Sequence, residues 1–359
     1  MADVRVAVTV SQDGQVLAQR LDDQRSTSWR IGYKGLDKDL IRLFERWLTL
    51  RDRVWQEVEI RVFGSLLHRC LFGEENWAWL QTIIDDATRV RLELSFPDDS
   101  RLAAIPWEFL YRPDTDTRRG AFLATERNLV LSRYIPQAGR RGQFSAQDTL
   151  TVLVVVSQPE DPRIGPVEYE TVLDTIDATS ATLGFTTLKP LHNPTERDLA
   201  NAIRSGAPDL VHFMGHGEFD ETRGAAALAL VDPDGGADWV DDRRIAGIVS
   251  RGDKIPRAVV LHSCDAGKAD YEASFAGVAP QLIRHGVQAV IAMQYPVRNS
   301  AATAFSSGLY EALAAGDDID TAAQEARFQI SGTDPRLLGV PVVYLQSKTA
   351  LLRSRTDDA

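Results

Sequence analysis

From residue 150 onward the chain alternates between two hydrophobic textures. Short apolar runs rich in β-branched residues, at 150–156, 186–188, 210–214, 258–262, 289–293 and 340–345, are separated by longer stretches with apolar residues at helical spacing. Runs that are apolar throughout predict strands buried on both faces, and their alternation with amphipathic helices predicts an α/β fold with a mostly parallel six-stranded sheet covered on both sides. Between the first two strands Tyr169, Val172, Leu173, Ile176 and Leu183 share one helical face, closed by Gly184. Asn193 as N-cap and Pro194 in the first turn open a second helix that Gly206 ends. Further helices carry Phe275, Val278, Leu282 and Ile283 before Gly286, then Phe305, Leu309 and Leu313 before Gly316.

The first 136 residues read differently. Strand-like segments at 4–10 and 90–96 flank a helical stretch near 40–50, and six of the seven tryptophans (Trp29, Trp47, Trp55, Trp77, Trp79 and Trp107) fall here. Buried aromatics of a smaller α+β domain are the expected reading. Residues 137–148 are polar, small and without period, as in a linker. The expected organisation is therefore an N-terminal accessory or regulatory domain (1–136), a linker (137–148), a larger α/β domain (149–347) and a tail (348–359), in keeping with a length of 359 residues.

Composition narrows the possibilities. With 44% hydrophobic and 25% charged residues the chain can bury a sizeable core. Its net charge of −11, and the lack of any dense Lys/Arg run, give no footprint for a phosphate backbone, so no direct nucleic-acid partner is expected. Residues 1–11 lack the basic start and apolar stretch of a secretory leader, and no run approaches the roughly 18 apolar residues of a membrane helix. A cytoplasmic location without membrane contact is expected. There are two cysteines, Cys70 and Cys264, which a reducing cytosol keeps as thiols. No phosphate loop, metal box or cofactor motif is present in the sequence, and no cofactor is expected.

Functional residues of open α/β sheets gather at the carboxyl ends of the strands. The strand 210–214 runs into Gly215, His216 and Gly217, and the strand 258–262 runs into Ser263, Cys264 and Asp265. If the two are neighbours, a thiol and an imidazole meet above the sheet. An imidazole beside a thiol raises its thiolate fraction and can return the proton to a leaving amine. Backbone N–H groups of Gly217 and Cys264 are candidate donors to a tetrahedral oxyanion. A lone cysteine at a strand end is ordinarily a small buried apolar residue, and a lone histidine is equally bland. Their occurrence together, each at a carboxyl strand end beside small residues, favours a catalytic pair. Histidine precedes cysteine by about 50 residues, as in caspases.

Three blocks carry a family resemblance: His-Phe-Met-Gly-His-Gly at 212–217, His-Ser-Cys-Asp-Ala-Gly at 262–267, and Ala-Val-Ile-Ala-Met-Gln-Tyr-Pro-Val at 289–297. They resemble the marker blocks of CHAT domains, caspase-clan peptidase domains related to separase and often found in bacterial conflict systems. The segments 340–345 and 106–111 (Pro-Trp-Glu-Phe-Leu-Tyr) fit the same pattern, so the resemblance spans about 88–346. It implies a caspase-like three-layer sandwich, a protein substrate, a cysteine endopeptidase activity and a place in antiviral defence or signalling. It also implies Cys264 as nucleophile and His216 as general base and acid. Relatives often carry an acidic residue after the third block, where Arg298 stands here, and an asparagine where His262 stands. Arg298, Gln294 and Asp265 are candidate substrate-binding residues. Arg298 would disfavour a basic residue before the cut and Asp265 would favour one.

Two rival readings remain at this level. His212 and His216, four apart, could be metal ligands, but that spacing brings side chains together only on a helix. A caspase-like domain without activity, serving as scaffold or sensor, is the other. Regulation is expected through an upstream protein activator or protease. The linker with Arg140 and Arg141, and a second flexible loop at 232–237, are the candidate cleavage segments.

Overall fold

The computed structural model describes residues 3–48, 50, 55–97, 101–115, 118–136, 149–162, 164–183, 185–220, 225–263, 274–295, 299–332 and 334–346. The linker 137–148 and the tail 348–359, both named above, lie outside them, as do residue 347, Cys264, Asp265 and Arg298. Two compact units emerge: Met1–Tyr134 with Ser331–Gly339, and Ile135–Ile330 with Val340–Ala359.

The first unit comprises β1 (Asp3–Val10), β2 (Gln15–Arg20), β3 (Ser26–Arg30), α1 (Gly35–Leu48), α2 (Glu57–Leu71), α3 (Gly73–Asp86), β4 (Arg89–Ser95), α4 (Arg101–Ala104), β5 (Tyr111–Arg112), β6 (Ala121–Phe122) and β7 (Leu129–Tyr134). Strands β1 to β3 form an antiparallel meander, while β4 runs parallel to β1 and β7 parallel to β4. Alternation sets the register: Val4, Val6, Val8 and Val10 are buried, and the residues between them are at least partly exposed. Helices α2 and α3 are absent from the sequence expectation. Val58 and Val62 lie exposed on α2 opposite the buried Ile60, Phe63 and Leu67, which blurs the apolar stripe. Phe63 stacks on Phe44 with ring centroids 4.9 Å apart, and Trp55, Trp77 and Trp107 are buried, whereas Trp29, Trp47 and Trp79 are only partly so. Cys70 is buried here, and that burial pushes its thiol up to about 12, which makes it a packing residue.

The second unit comprises β8 (Leu150–Val156), α5 (Glu170–Leu183), β9 (Phe185–Thr187), β10 (Leu191–His192), α6 (Glu196–Gly206), β11 (Leu210–Gly215), β12 (Gly217–Asp220), β13 (Ala225–Val231), β14 (Ala237–Asp241), α7 (Asp242–Val249), β15 (Ala258–Ser263), α8 (Ser274–Arg284), β16 (Ala289–Met293), α9 (Asn299–Ala314), α10 (Ile319–Ser331) and β17 (Pro341–Leu345). Its main sheet has the order β10-β8-β11-β15-β16-β17, with β9 also on β8. All pairs are parallel except β16 with β17. The two faces are filled by alternate residues of each strand. Val211, Phe213, Val259, Leu261, Val290 and Ala292 join Leu199, Ile203, Ile248, Val278 and Leu282 of α6, α7 and α8 in one core. Leu210, His212, Met214, Val260 and His262 belong to the opposite face, where Tyr310 of α9 meets His212. This is the predicted mostly parallel α/β sandwich.

Three local features differ from the sequence expectation. Helix α6 is capped by Thr195, whose hydroxyl accepts from the Asp198 N–H while Asp198 reaches back, so the cap lies beyond Asn193 and Pro194. Ala207, at φ 41°, is the left-handed residue that ends this helix, one position after Gly206. A separate antiparallel sheet, β12-β13-β14, is inserted between β11 and α7. Its tight turn falls at 232–236, where the Asp232 carboxylate accepts from the N–H groups of Asp234 and Gly236. The segment 232–237, expected to be a flexible loop, is thus a closed hairpin turn.

Candidate active site

The chain crosses the second sheet in both directions from β8: first to β10 on one side, then back to β11 on the other. Such a reversal leaves a crevice at the carboxyl ends of the two central strands. His216 stands there, directly after β11, and is buried with 1% of its surface exposed. Its Nε2 lies 2.9 Å from the carbonyl oxygen of Gly165, in the connection that follows β8. A carbonyl only accepts, so Nε2 carries the proton, and the basic lone pair of the neutral ring is on Nδ1. Burial lowers the pKa of His216, partly offset by the Gly165 bond, so the imidazole is neutral near pH 7.

Backbone packing fixes the approach to that ring. A Cβ on Gly215 would sit 2.9 Å from the Phe213 ring and 3.1 Å from the Ser157 carbonyl oxygen, so any larger residue there must displace one of them. His216 also begins the hairpin, since its carbonyl accepts from the Ala229 N–H at 2.9 Å. Hydrogen-bonded pairs alternate along an antiparallel ladder, and Gly217 is opposite Leu228. The N–H of Gly217 is therefore directed away from β13. Ser157 tightens the same corner, donating its hydroxyl to the Ala229 carbonyl at 2.7 Å.

The neighbouring strand β15 pairs with β11 in parallel, with Gly215 opposite Ser263. His216 follows the first of these residues, and in the sequence Cys264 follows the second. Gln294, just after β16, is buried and its backbone N–H donates to the Val340 carbonyl. His212 and His216 have separate partners: His212 turns to Tyr310 and His262, and His216 to Gly165. Among the described residues no group of three or more His, Cys, Asp or Glu side chains gathers to hold a metal ion. No described helix is long and apolar enough to cross a membrane.

Sequence reasoning missed two participants. Gly165 contributes only its backbone carbonyl, which leaves no trace in residue type. Ser157 follows an apolar strand, and nothing in its spacing distinguishes it from a turn residue.

A mostly parallel sheet in this strand order with helices on both faces is the architecture of the caspase-like fold. The model of the CHAT domain matches residues 61–342, and the chain belongs to that family. Among solved structures, separase of Saccharomyces cerevisiae in its complex with securin superposes with a TM-score of 0.54 at 10% identity, over 96% of this chain and 30% of that one. The chain thus spans under a third of the separase it matches. The Arg-specific cysteine proteinase gingipain R superposes with a TM-score of 0.51 at 12% identity, over 97% of this chain and 78% of that one. At these identities the likeness is one of fold. No curated protein matches in sequence.

Proposed function

We propose that the protein is a cysteine endopeptidase that cuts a protein substrate with Cys264 as nucleophile and His216 as general base and acid. The observation that carries this reading is the placement of His216, with Nε2 held by Gly165 and its basic nitrogen on the other side of the ring, at the register step that leads β15 into Cys264. In this reading the thiol proton passes to Nδ1 of His216, and the thiolate sulfur bonds to the scissile carbonyl carbon. The oxyanion so formed accepts from the N–H groups of Gly217 and Cys264. The intermediate collapses with cleavage of the C–N bond, the leaving amine taking its proton from the imidazolium. Water, deprotonated by the same imidazole, then attacks the thioester, and the thiol is regenerated as the new carboxyl terminus departs.

Asp265, Gln294 and Arg298 are the residues we assign to contact with substrate side chains, since Asp265 follows the nucleophile, Gln294 lies within the third block and Arg298 follows it. A protein activator or an upstream protease is assigned the task of switching the enzyme on, with cleavage in the linker 137–148 as one route. We assign it to bacterial antiviral defence or signalling, a reading supported by the family blocks at 212–217, 262–267 and 289–297, and to the cytoplasm. The alternative is a scaffold or sensor without catalysis. Cys264→Ala and His216→Ala variants, assayed for cleavage of a co-expressed partner or of the chain itself, decide between them: both should lose all cutting. Full cutting by either variant rejects the peptidase reading.

A further inference from the structure

Beneath the candidate site three fully buried polar side chains stand in line. The Tyr310 hydroxyl is 3.0 Å from His212 Nδ1, and His212 Nε2 is 3.3 Å from His262 Nδ1. The His212 and Tyr310 rings are nearly parallel, their planes 11° apart and their centroids 6.0 Å apart. Each member comes from a different element: Tyr310 from α9, His212 from β11 and His262 from β15. These three elements lead to the three segments of the site. His216 lies four residues past His212, Cys264 two past His262, and α9 begins at Asn299, directly after Arg298, which follows the third block.

Stability alone does not account for the arrangement. His262 Nε2 and the hydroxyl of Ser306 are buried with no hydrogen-bond partner among the described residues. Apolar side chains of like shape would fill the same space without that cost. Hydrogen bonds differ from apolar contacts in being directional, so a buried polar chain selects one mutual placement of the elements it joins. Both imidazoles are kept neutral by burial, and the phenol is kept protonated, so the chain can have a fixed polarity: Tyr310 donates to His212 Nδ1 and His212 Nε2–H donates to His262 Nδ1.

We propose that Tyr310, His212 and His262 are positioning residues that lock β11, β15 and α9 together so that the thiol of Cys264 meets Nδ1 of His216. This rests on the reading of Cys264 and His216 as a catalytic pair. The chain touches neither substrate nor reacting atoms and acts through these three elements alone. Loss of one link lets β15 shift against β11 without unfolding the sheet, and the thiol loses its imidazole.

Alkylation of Cys264 by iodoacetamide tests this without a substrate. Peptide mapping by mass spectrometry of the full-length protein reads Cys264 separately from the buried Cys70. In the parent the pH midpoint of alkylation should lie well below the value of about 8.5 for a free thiol. Tyr310→Phe, which keeps the ring and removes one hydroxyl, should slow alkylation at pH 7 at least five-fold and move the midpoint upward. His212→Leu should do so more strongly, and if it fails to fold, Tyr310→Phe decides alone. A folded Tyr310→Phe protein with the parent rate and midpoint overturns the positioning role. A parent midpoint at the free-thiol value, unchanged by His216→Ala, overturns the catalytic pair itself.

Discussion

The His216 imidazole is tied through Nε2 to the Gly165 carbonyl, 2.9 Å away across the crevice between β8 and β11. A backbone carbonyl fixes the tautomer as an orienting carboxylate would, yet adds no charge that would raise the pKa of the ring. The net shift from burial is therefore downward.

In a Cys264→Ala protein, where no thiol couples to the ring, the imidazole of His216 should titrate below the usual value of about 6.5. NMR titration of that single resonance measures it. A midpoint at or above the usual value would show that the ring is solvated or faces a negative charge.

Gly215→Ala should damage the site out of proportion to the fold. The added methyl meets the Phe213 ring and the Ser157 carbonyl, and overpacking of this kind costs about 1–3 kcal/mol. Urea melts should show that loss. Alkylation of Cys264, or cleavage of a substrate once one is known, should fall by more than tenfold, because the strain is relieved by moving the residue next to His216.

In the first unit Arg133 binds Glu108 through two parallel bonds, Nε to Oε1 at 2.8 Å and Nη2 to Oε2 at 2.6 Å, with both side chains buried. Glu108→Ala strands a buried guanidinium and should cost about 3–5 kcal/mol. Glu108→Leu combined with Arg133→Met should cost clearly less. Thermal or urea denaturation of the two proteins checks the order, and equal losses would mean that the arginine finds other compensation.

Acid should weaken the protein before its carboxylates titrate. Burial lowers His262 to about 4 and His68 to about 3, and lowers His212 as well. Unfolded imidazoles protonate near 6.5, so the unfolded state takes up protons first as pH falls. Stability is fully present above that value and is lost toward pH 4, by roughly 2 kcal/mol at pH 5 from His262 alone. Urea midpoints at pH 7 and pH 5 should differ accordingly, and a His262→Asn protein should show a shallower dependence.

How much of this was legible in the sequence depended on whether information lay in residue type or in backbone. The strands of the second unit were readable because they are buried on both faces and so consist of unbroken apolar runs: 150–156 and 289–293 coincide with β8 and β16. Helix α6 was found but miscapped, because Asn193 and Pro194 match the usual signals and Thr195 competes with them only through its reciprocal bond to Asp198. The hairpin sheet escaped notice, since Ala225–Val231 is rich in alanine and reads equally well as helix. His216 was legible from its setting between two glycines. Its orienting carbonyl was not, because any residue supplies one. The segment 106–111 was recognised by resemblance alone, and burial now explains it: Trp107 and Phe109 fill the core of the first unit while Glu108 holds Arg133.

The hairpin leaves β11 at the first rung, where Ala229 bonds to the His216 carbonyl. Beyond that rung Ala226, Leu228 and Leu230 of β13 and Val240 of β14 join α7 and α8 in the core, so the inserted sheet is anchored along its length as well as at the point fixed by Gly215 and Gly165. Descendants of this chain can therefore vary the partly exposed turn at 232–236 while inheriting the same imidazole in the same place.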